Sequence, residues 1–317
     1  MQKILVIKLG ALGDFIQALG PMKAIRQHHK DAHITLLTTR PFQEFAEKSG
    51  YFDNILIDER PKFHQPLKWF SLRDTLNNGK FNRVYDLQNN DRTGFYFKLF
   101  SPKPDWVGVA RGASHRNTSP ERTQGLAFYG HRQTVGLAGV TDVSIDTLDW
   151  IEADLSAFNL PENYALIVPG CAPTRPEKRW PMESFIALCE KILQENITPV
   201  LIGTDSEKDI TEKIKQTCPD VLDLTGRTSL FDIAPLARGA RYAVGNDTGP
   251  MHMVAPTGCP CIVLFSGSSN PRRHAPLGDC VQTLQEDNIK DIDVESVCTA
   301  IERIPTLAPS KTASSAP

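Results

Sequence analysis

Apolar residues occur along the chain in short continuous runs rather than in strict alternation. Each run gives way to a polar turn and then to helical spacing. Ile4 to Leu9 is the first run, broken only by Lys8; Gly10-Ala11-Leu12-Gly13-Asp14 follows, and Ile16, Leu19, Met22 and Ile25 then repeat at a helical period. Further strand-like runs lie at His33–Thr38, Asn54–Ile57, Arg83–Leu87 and Trp106–Val109. Such runs, separated by helix-length segments, predict a parallel sheet covered on both faces. In sheets of that kind ligands bind beyond the carboxyl ends of the strands, where Gly10–Asp14 and Asp86-Leu87-Gln88 emerge.

The pattern weakens after Asp149, and Asn159-Leu160-Pro161-Glu162-Asn163 reads as a linker. We therefore place a domain boundary there, with one domain over 1–158 and a second over 159–305. The alternation restarts with strands at Tyr164–Val168, Thr198–Ile202, Val221–Leu224, Arg241–Val244 and Cys261–Phe265. Helices fall at Pro181–Glu195, Ser206–Thr217 and Leu230–Arg238. This predicts a second doubly wound α/β domain. Residues 306–317, rich in Pro, Ser, Thr and Ala, read as a disordered tail.

Length and composition narrow the class. A chain of 317 residues is right for two domains, and 40% hydrophobic with 23% charged residues is the balance of a soluble globular protein. No apolar run is long enough to span a membrane, and the N-terminus has no signal-peptide pattern, so a cytoplasmic location is expected. Seven cysteines, all from Cys171 onward, suggest reduced thiols; Cys259 and Cys261 have no second pair at zinc spacing, so no metal is expected. A net charge of −2 gives no support for a nucleic-acid partner. Locally, however, basic residues from Arg60 to Arg132 are interleaved with Phe63, Trp69, Phe70 and Phe95. Most of these read singly as ordinary surface or core. As a group they suit an anionic acceptor or acidic lipid headgroups.

The polar chemistry collects at strand ends. Gly245-Asn246-Asp247-Thr248-Gly249-Pro250-Met251-His252 joins an apolar run to a helix that opens on Pro250. Unpaired N–H groups at a helix start, a Thr hydroxyl and glycines suit a phosphate. The same residues also suit a tight turn capped by Asp247 or Thr248, with His252 facing the core. Asp14 reads either as a helix cap or as a carboxylate aimed at ligand. Gly10 and Gly13 lack the third glycine of a dinucleotide fingerprint, so a nicotinamide cofactor is not expected. The long turn from Pro169 to Pro181 carries Arg175, Lys178 and Arg179, cations suited to a diphosphate, and Gly203 to Glu207 offers carboxylates for ribose hydroxyls, with Ser206 or Asp205 as a helix cap the alternative reading. Asp291-Ile292-Asp293 reads as capping of the following helix.

Taken together, the N-terminal stretch from Ile4 to Asp14, Lys178-Arg179-Trp180-Pro181 and Asp247-Thr248-Gly249-Pro250-Met251-His252 resemble the ADP-heptose:lipopolysaccharide heptosyltransferases, inverting glycosyltransferases of the GT-B fold. The resemblance implies two Rossmann-like domains facing across a cleft, the first for acceptor and the second for nucleotide sugar. It implies Asp14 as general base, Lys178 on the diphosphate, and Asp247, Thr248, Gly249 and His252 in the donor site, with Glu207 on the ribose side. Gln88 and Arg92 resemble the acceptor segment, and Arg60 and Lys62 are further candidates for an acidic sugar or phosphate. The implied reaction moves a heptose or related sugar from an ADP-sugar to a lipopolysaccharide core acceptor, without metal or other cofactor. An anionic glycolipid acceptor also implies peripheral contact with the inner face of the cytoplasmic membrane. A nucleotide-sugar epimerase or hydrolase of the same fold, and a non-catalytic nucleotide-sugar-binding protein, remain open alternatives.

Overall fold

The computed structural model describes residues 1–304 and divides into two compact units, Met1–Asp146 and a second that begins at Thr147. The expected tail, 306–317, lies outside the described residues. The division falls upstream of the 158/159 boundary read from sequence. Residues 147–158 lack long regular elements but attach to the second unit: the Arg238 guanidinium donates to the carbonyls of Leu148 and Ile151, and Arg227 lies 5.9 Å from the Phe158 ring. The weak periodicity of 147–158 corresponds to irregular backbone that lies with the second unit.

The first unit holds β1 (Lys3–Ile7), β2 (His33–Thr38), β3 (Asn54–Ile57), β4 (Arg83–Asp86), β5 (Asp105–Gly108) and β6 (His115–Arg116) in the order β3-β2-β1-β4-β5-β6. The second holds β7 (Tyr164–Val168), β8 (Thr198–Leu201), β9 (Leu222–Asp223), β10 (Ala243–Asn246), β11 (Cys261–Ser266) and β12 (Val281–Glu286) in the order β12-β11-β10-β7-β8-β9. All the pairings are parallel, and counted from its own first strand each sheet has the same order. Strand order therefore reverses between β1 and β4 in one sheet and between β7 and β10 in the other, opening a crevice at those carboxyl ends.

The apolar runs are continuous because the inner strands are covered on both faces. Ile4 to Ile7, Tyr164 to Val168 and Cys261 to Ser266 are all buried. The edge strand β12 is half exposed and reads Val-Gln-Thr-Leu-Gln-Glu, which is why its sequence carries no apolar run. Among the described residues no helix is long and apolar enough to cross a membrane, and all seven cysteines are free thiols.

Two glycines fix how closely chain meets chain at the crevices. Gly10 has φ +117° after β1, and a Cβ there would stand 2.6 Å from the Phe42 ring. Gly245 in β10 is packed so that a Cβ would meet Val168 and Met251 at 2.8 Å, which brings the following helix close against the strand.

Candidate active site

In the first unit the turn after β1 leads directly into the Leu12–His28 helix. Its N-cap is Ala11, which makes no side-chain cap, and Asp14 sits exposed in the first turn. Among the described residues the Asp14 carboxylate accepts no hydrogen bond and forms no ion pair. The capping use left open by the sequence is therefore not the one adopted. An exposed carboxylate at a helix start is free to accept a proton from a ligand.

Beneath it lies a buried polar group that sequence reasoning passed over as an interruption in a strand. Lys8 is 2% exposed; its Nζ donates to the Leu87 carbonyl at 3.2 Å and stands 3.4 Å from His131 Nε2. Burial pulls Lys8 down to about 8, opposed by the negative charges of Asp14 and Asp86. His131 is held well below its usual value by burial and by the lysine, and so stays neutral. Burial pushes Asp86 up to about 6, against the backbone N–H groups of Asn89 and Gln88 and the Lys8 charge. The signal for this cluster was present: a lysine inside an apolar run must find partners or lose its charge.

A stability prediction follows from Asp86. Its folded-state value lies above the ordinary 3.8, so its contribution is full below about pH 4 and is lost as pH rises through about 6. Asp86→Asn keeps an acceptor for the N–H groups of Gln88 and Asn89 and removes that titration. Urea unfolding between pH 4 and 6 should show a flatter pH dependence for the variant; an unchanged slope would refute the assignment.

The acceptor-side candidates divide. Gln88 is tied into the fold, its Oε1 accepting from Leu9 N at 2.8 Å and so bridging the ends of β1 and β4. Arg92 donates to Pro61 O at 3.2 Å and Tyr96 Oη at 3.3 Å, and lies 5.7 Å from the Trp69 ring. Arg60 and Lys62 have exposed side chains; their backbone N–H groups are engaged with the Asp58 and Gln65 side chains, and the Lys62 carbonyl accepts from Trp69 Nε1.

In the second unit the loop after β7 meets the end of β10. Lys178 Nζ pairs with Asp247 Oδ2 at 2.6 Å, the two side chains being 16% and 7% exposed, and Ser269 Oγ donates to the same oxygen at 2.6 Å. Asn246, fully buried, sets this meeting. Its Oδ1 accepts from Trp180 N at 3.0 Å while its Nδ2 donates to Pro169 O at 2.8 Å and Gly170 O at 3.3 Å, which pins both ends of the loop to the strand. Trp180 Nε1 also donates to Ile292 O at 2.8 Å. Asn246 and Ser269 were not among the sequence candidates, although both sit in the polar stretches singled out. Asn246→Ala leaves several buried partners unsatisfied and should cost about 2–4 kcal/mol. The thermal unfolding of the second unit should fall by on the order of 10 °C; a shift within about 1 °C would show the clamp to be dispensable.

Thr248 is the N-cap of the Gly249–Val254 helix without a side-chain cap bond, so its hydroxyl is not spent on the helix, and His252 is buried on that helix. Beside them a cavity of ≈ 310 Å³ opens between the ends of β7 and β8. Val168, Ile202, Leu230 and Ile233 line it together with Thr248 and Pro250. Its walls are largely apolar, and Thr248, which lines it, directly follows the Asp247 that holds Lys178, an arrangement with room for a flat ring. Glu207 also borders it, but its Oε2 accepts from Thr204 N at 2.9 Å and Thr204 Oγ1 at 2.7 Å, and its Oε1 from Ser206 Oγ at 2.7 Å. That is a capping box with Thr204 as its N-cap, in place of the Ser206 or Asp205 cap read from the sequence. Asp293 caps the last helix through Ser296 N at 2.6 Å, as expected. Among the described residues no group of three or more His, Cys, Asp or Glu side chains is placed to hold a metal ion.

Two doubly wound parallel six-stranded sheets in tandem are the architecture of the GT-B class. The model of glycosyltransferase family 9 (heptosyltransferase) matches residues 133–302, and the chain belongs to that family. Lipopolysaccharide core heptosyltransferase OpsX of Haemophilus influenzae is 22% identical over 304 residues, covering 90% of this chain and 86% of that protein. Lipooligosaccharide heptosyltransferase 2 of the same species is 32% identical over 116 residues, and that match spans only about a third of each, 35% of this chain and 33% of the relative. The solved E. coli heptosyltransferase WaaC with ADP-2-deoxy-2-fluoro heptose superposes with a TM-score of 0.72 at 18% identity, covering 95% of this chain and 99% of that one.

Proposed function

We propose that the protein transfers a heptose from an ADP-heptose to a lipopolysaccharide core acceptor with inversion at the anomeric carbon. Family membership supports glycosyl transfer, and the relatives named for lipopolysaccharide core transfer support the acceptor class. The observation that carries the donor assignment is the meeting of Lys178 and Asp247 at the switch point of the second sheet, beside the apolar cavity. The adenine ring enters the cavity and the diphosphate lies against Lys178, Thr248 and the N–H groups that open the Gly249–Val254 helix. His252 underlies that turn.

In the reaction an acceptor hydroxyl oxygen forms a bond to the anomeric carbon as the bond from that carbon to the diphosphate oxygen breaks. Asp14 takes the hydroxyl proton, and the electron pair of the broken bond leaves with ADP. Lys178 and the backbone N–H groups stabilise the charge that develops on the leaving oxygen. Arg60 and Lys62 contact anionic groups of the acceptor, while Arg92 and Gln88 hold the acceptor loops in place. Glu207 contributes by shaping the cavity wall through its capping box.

The test is to incubate the protein with ADP-heptose and a heptose-deficient core glycolipid, and to follow both ADP release and the mass of the glycolipid. A gain of one heptose with an equal amount of ADP is the expected result. Free heptose or an epimerised donor in the absence of acceptor would assign the fold to hydrolysis or epimerisation instead. Donor binding without any turnover would make it a binding protein.

A further inference from the structure

Large apolar side chains are unusually exposed in one part of the first unit. Of the eight that are exposed among the described residues, four lie close together: Phe63 at 91%, Leu67 at 81%, Phe70 at 59% and Phe95 at 39%. The Pro66–Asn78 helix buries Leu72 and Leu76 in the core, with Trp69 packed against them. Leu67 and Phe70 fall on its opposite side by helical spacing. A helix that is apolar on both sides needs a second apolar environment.

The exposed side is also built rather than loose. Trp69 Nε1 donates to Lys62 O at 3.0 Å, and the Phe63 ring stacks on Trp69 at 6.4 Å. Trp69 in turn meets Phe95 edge-on at 5.0 Å, and Arg92 fastens the preceding turn through Pro61 O. Phe63 is thus held outward by contacts that leave its outer face bare.

Charge indicates what covers it. Residues 60–73 contain four Lys or Arg and no Asp or Glu, in a chain whose net charge is −2. Lys62, Lys68 and Arg73 are exposed around the apolar side chains; one of the three, Lys68, pairs with Glu59 at 2.9 Å. Protruding Phe and Leu side chains ringed by cations match the interface of an anionic bilayer, where rings enter the acyl boundary and ammonium groups stay among headgroup phosphates.

We infer that residues 62–70 form a membrane-docking element, and that Phe63, Leu67 and Phe70 insert into the interface of an anionic lipid surface. The inference deepens the glycolipid-acceptor reading, on which its purpose rests, and its test requires neither donor nor acceptor. The full chain is floated with vesicles of phosphatidylglycerol and phosphatidylethanolamine, or of phosphatidylcholine alone. Partition to the anionic vesicles should be at least tenfold stronger and should weaken with added salt. Phe63→Ser/Leu67→Ser/Phe70→Ser should lose at least tenfold in that partition while keeping the wild-type unfolding temperature, since none of the three belongs to the buried core. Lys68→Gln/Arg73→Gln should lose roughly tenfold on the anionic vesicles.

Equal binding to both vesicle types, or undiminished binding by the triple variant, would overturn the inference. So would binding only when the vesicles carry core glycolipid, which would make the patch an acceptor subsite. A dimer in light scattering that the triple variant dissolves would show a second copy as the occupant. Failure of heptosyl transfer leaves these outcomes untouched, so the two readings fall separately.

Discussion

Asp14→Asn should lower the rate of sugar transfer by at least a thousandfold while ADP binding stays within about twofold of wild type. The variant keeps the shape of the side chain and removes only its capacity to take a proton. Because Asp14 is exposed and engages no hydrogen-bond partner among the described residues, the fold loses little. The one structural contribution expected is a favourable interaction with the helix start, which should change stability by less than about 1 kcal/mol. Transfer is read by the mass of the glycolipid, nucleotide affinity by calorimetry and folding by thermal unfolding. Residual transfer within tenfold of wild type would mean that the proton goes elsewhere, and Asp14 would then lose its assignment even if the donor site stood.

Lys178→Met should reduce turnover by about two to three orders of magnitude, since a cation facing the leaving group contributes most when charge develops there. It also has a structural cost that Asp14→Asn does not. Asp247 is 7% exposed, and without the lysine it keeps only the Ser269 hydroxyl as a partner at its Oδ2. Stranding a largely buried carboxylate costs about 3 kcal/mol. The companion variant Lys178→Met/Asp247→Asn separates the two effects: stability should largely return, because no uncompensated charge remains, while turnover stays low. Should turnover return along with stability, the ion pair would be a strut and not part of the chemistry.

The sheets were legible because their inner strands are buried on both faces, so Ile4–Ile7 or Tyr164–Val168 could be read as unbroken apolar runs. Two strands at the rim were not. β12 is half exposed and mostly polar, and β6 has two residues, too few to carry a period, whereas β9 fell inside the expected Val221–Leu224 run. The candidate site shows a similar division. Lys178 and Asp247 stand where glycines and a helix-opening proline announce a strand end, and they meet in space.

What stayed hidden depended on pairing between distant segments. Asn246 is one polar residue among several in its turn until its three hydrogen bonds to a loop some seventy residues away are known. Lys8 looked like a break in a strand because its partners, Leu87 O and His131, come from later elements. Glu207 was open to a better reading: Thr204-Asp205-Ser206-Glu207 has the spacing of a capping box, and that local pattern holds its carboxylate in place.

The Lys178–Asp247 pair also bears on which anions the donor site of the proposed reaction would take up. A bare ammonium group beside a helix opening would trap inorganic phosphate, sulfate and other small anions that abound in cells. Here an incoming anion must compete with a carboxylate that already holds the lysine at 2.6 Å and sits close enough to repel it. A lone phosphate has only that contested cation to gain. On the proposed reading a nucleotide sugar would gain the cavity as well, and the ion pair would act as a self-neutralised charge that only a two-part ligand can reclaim.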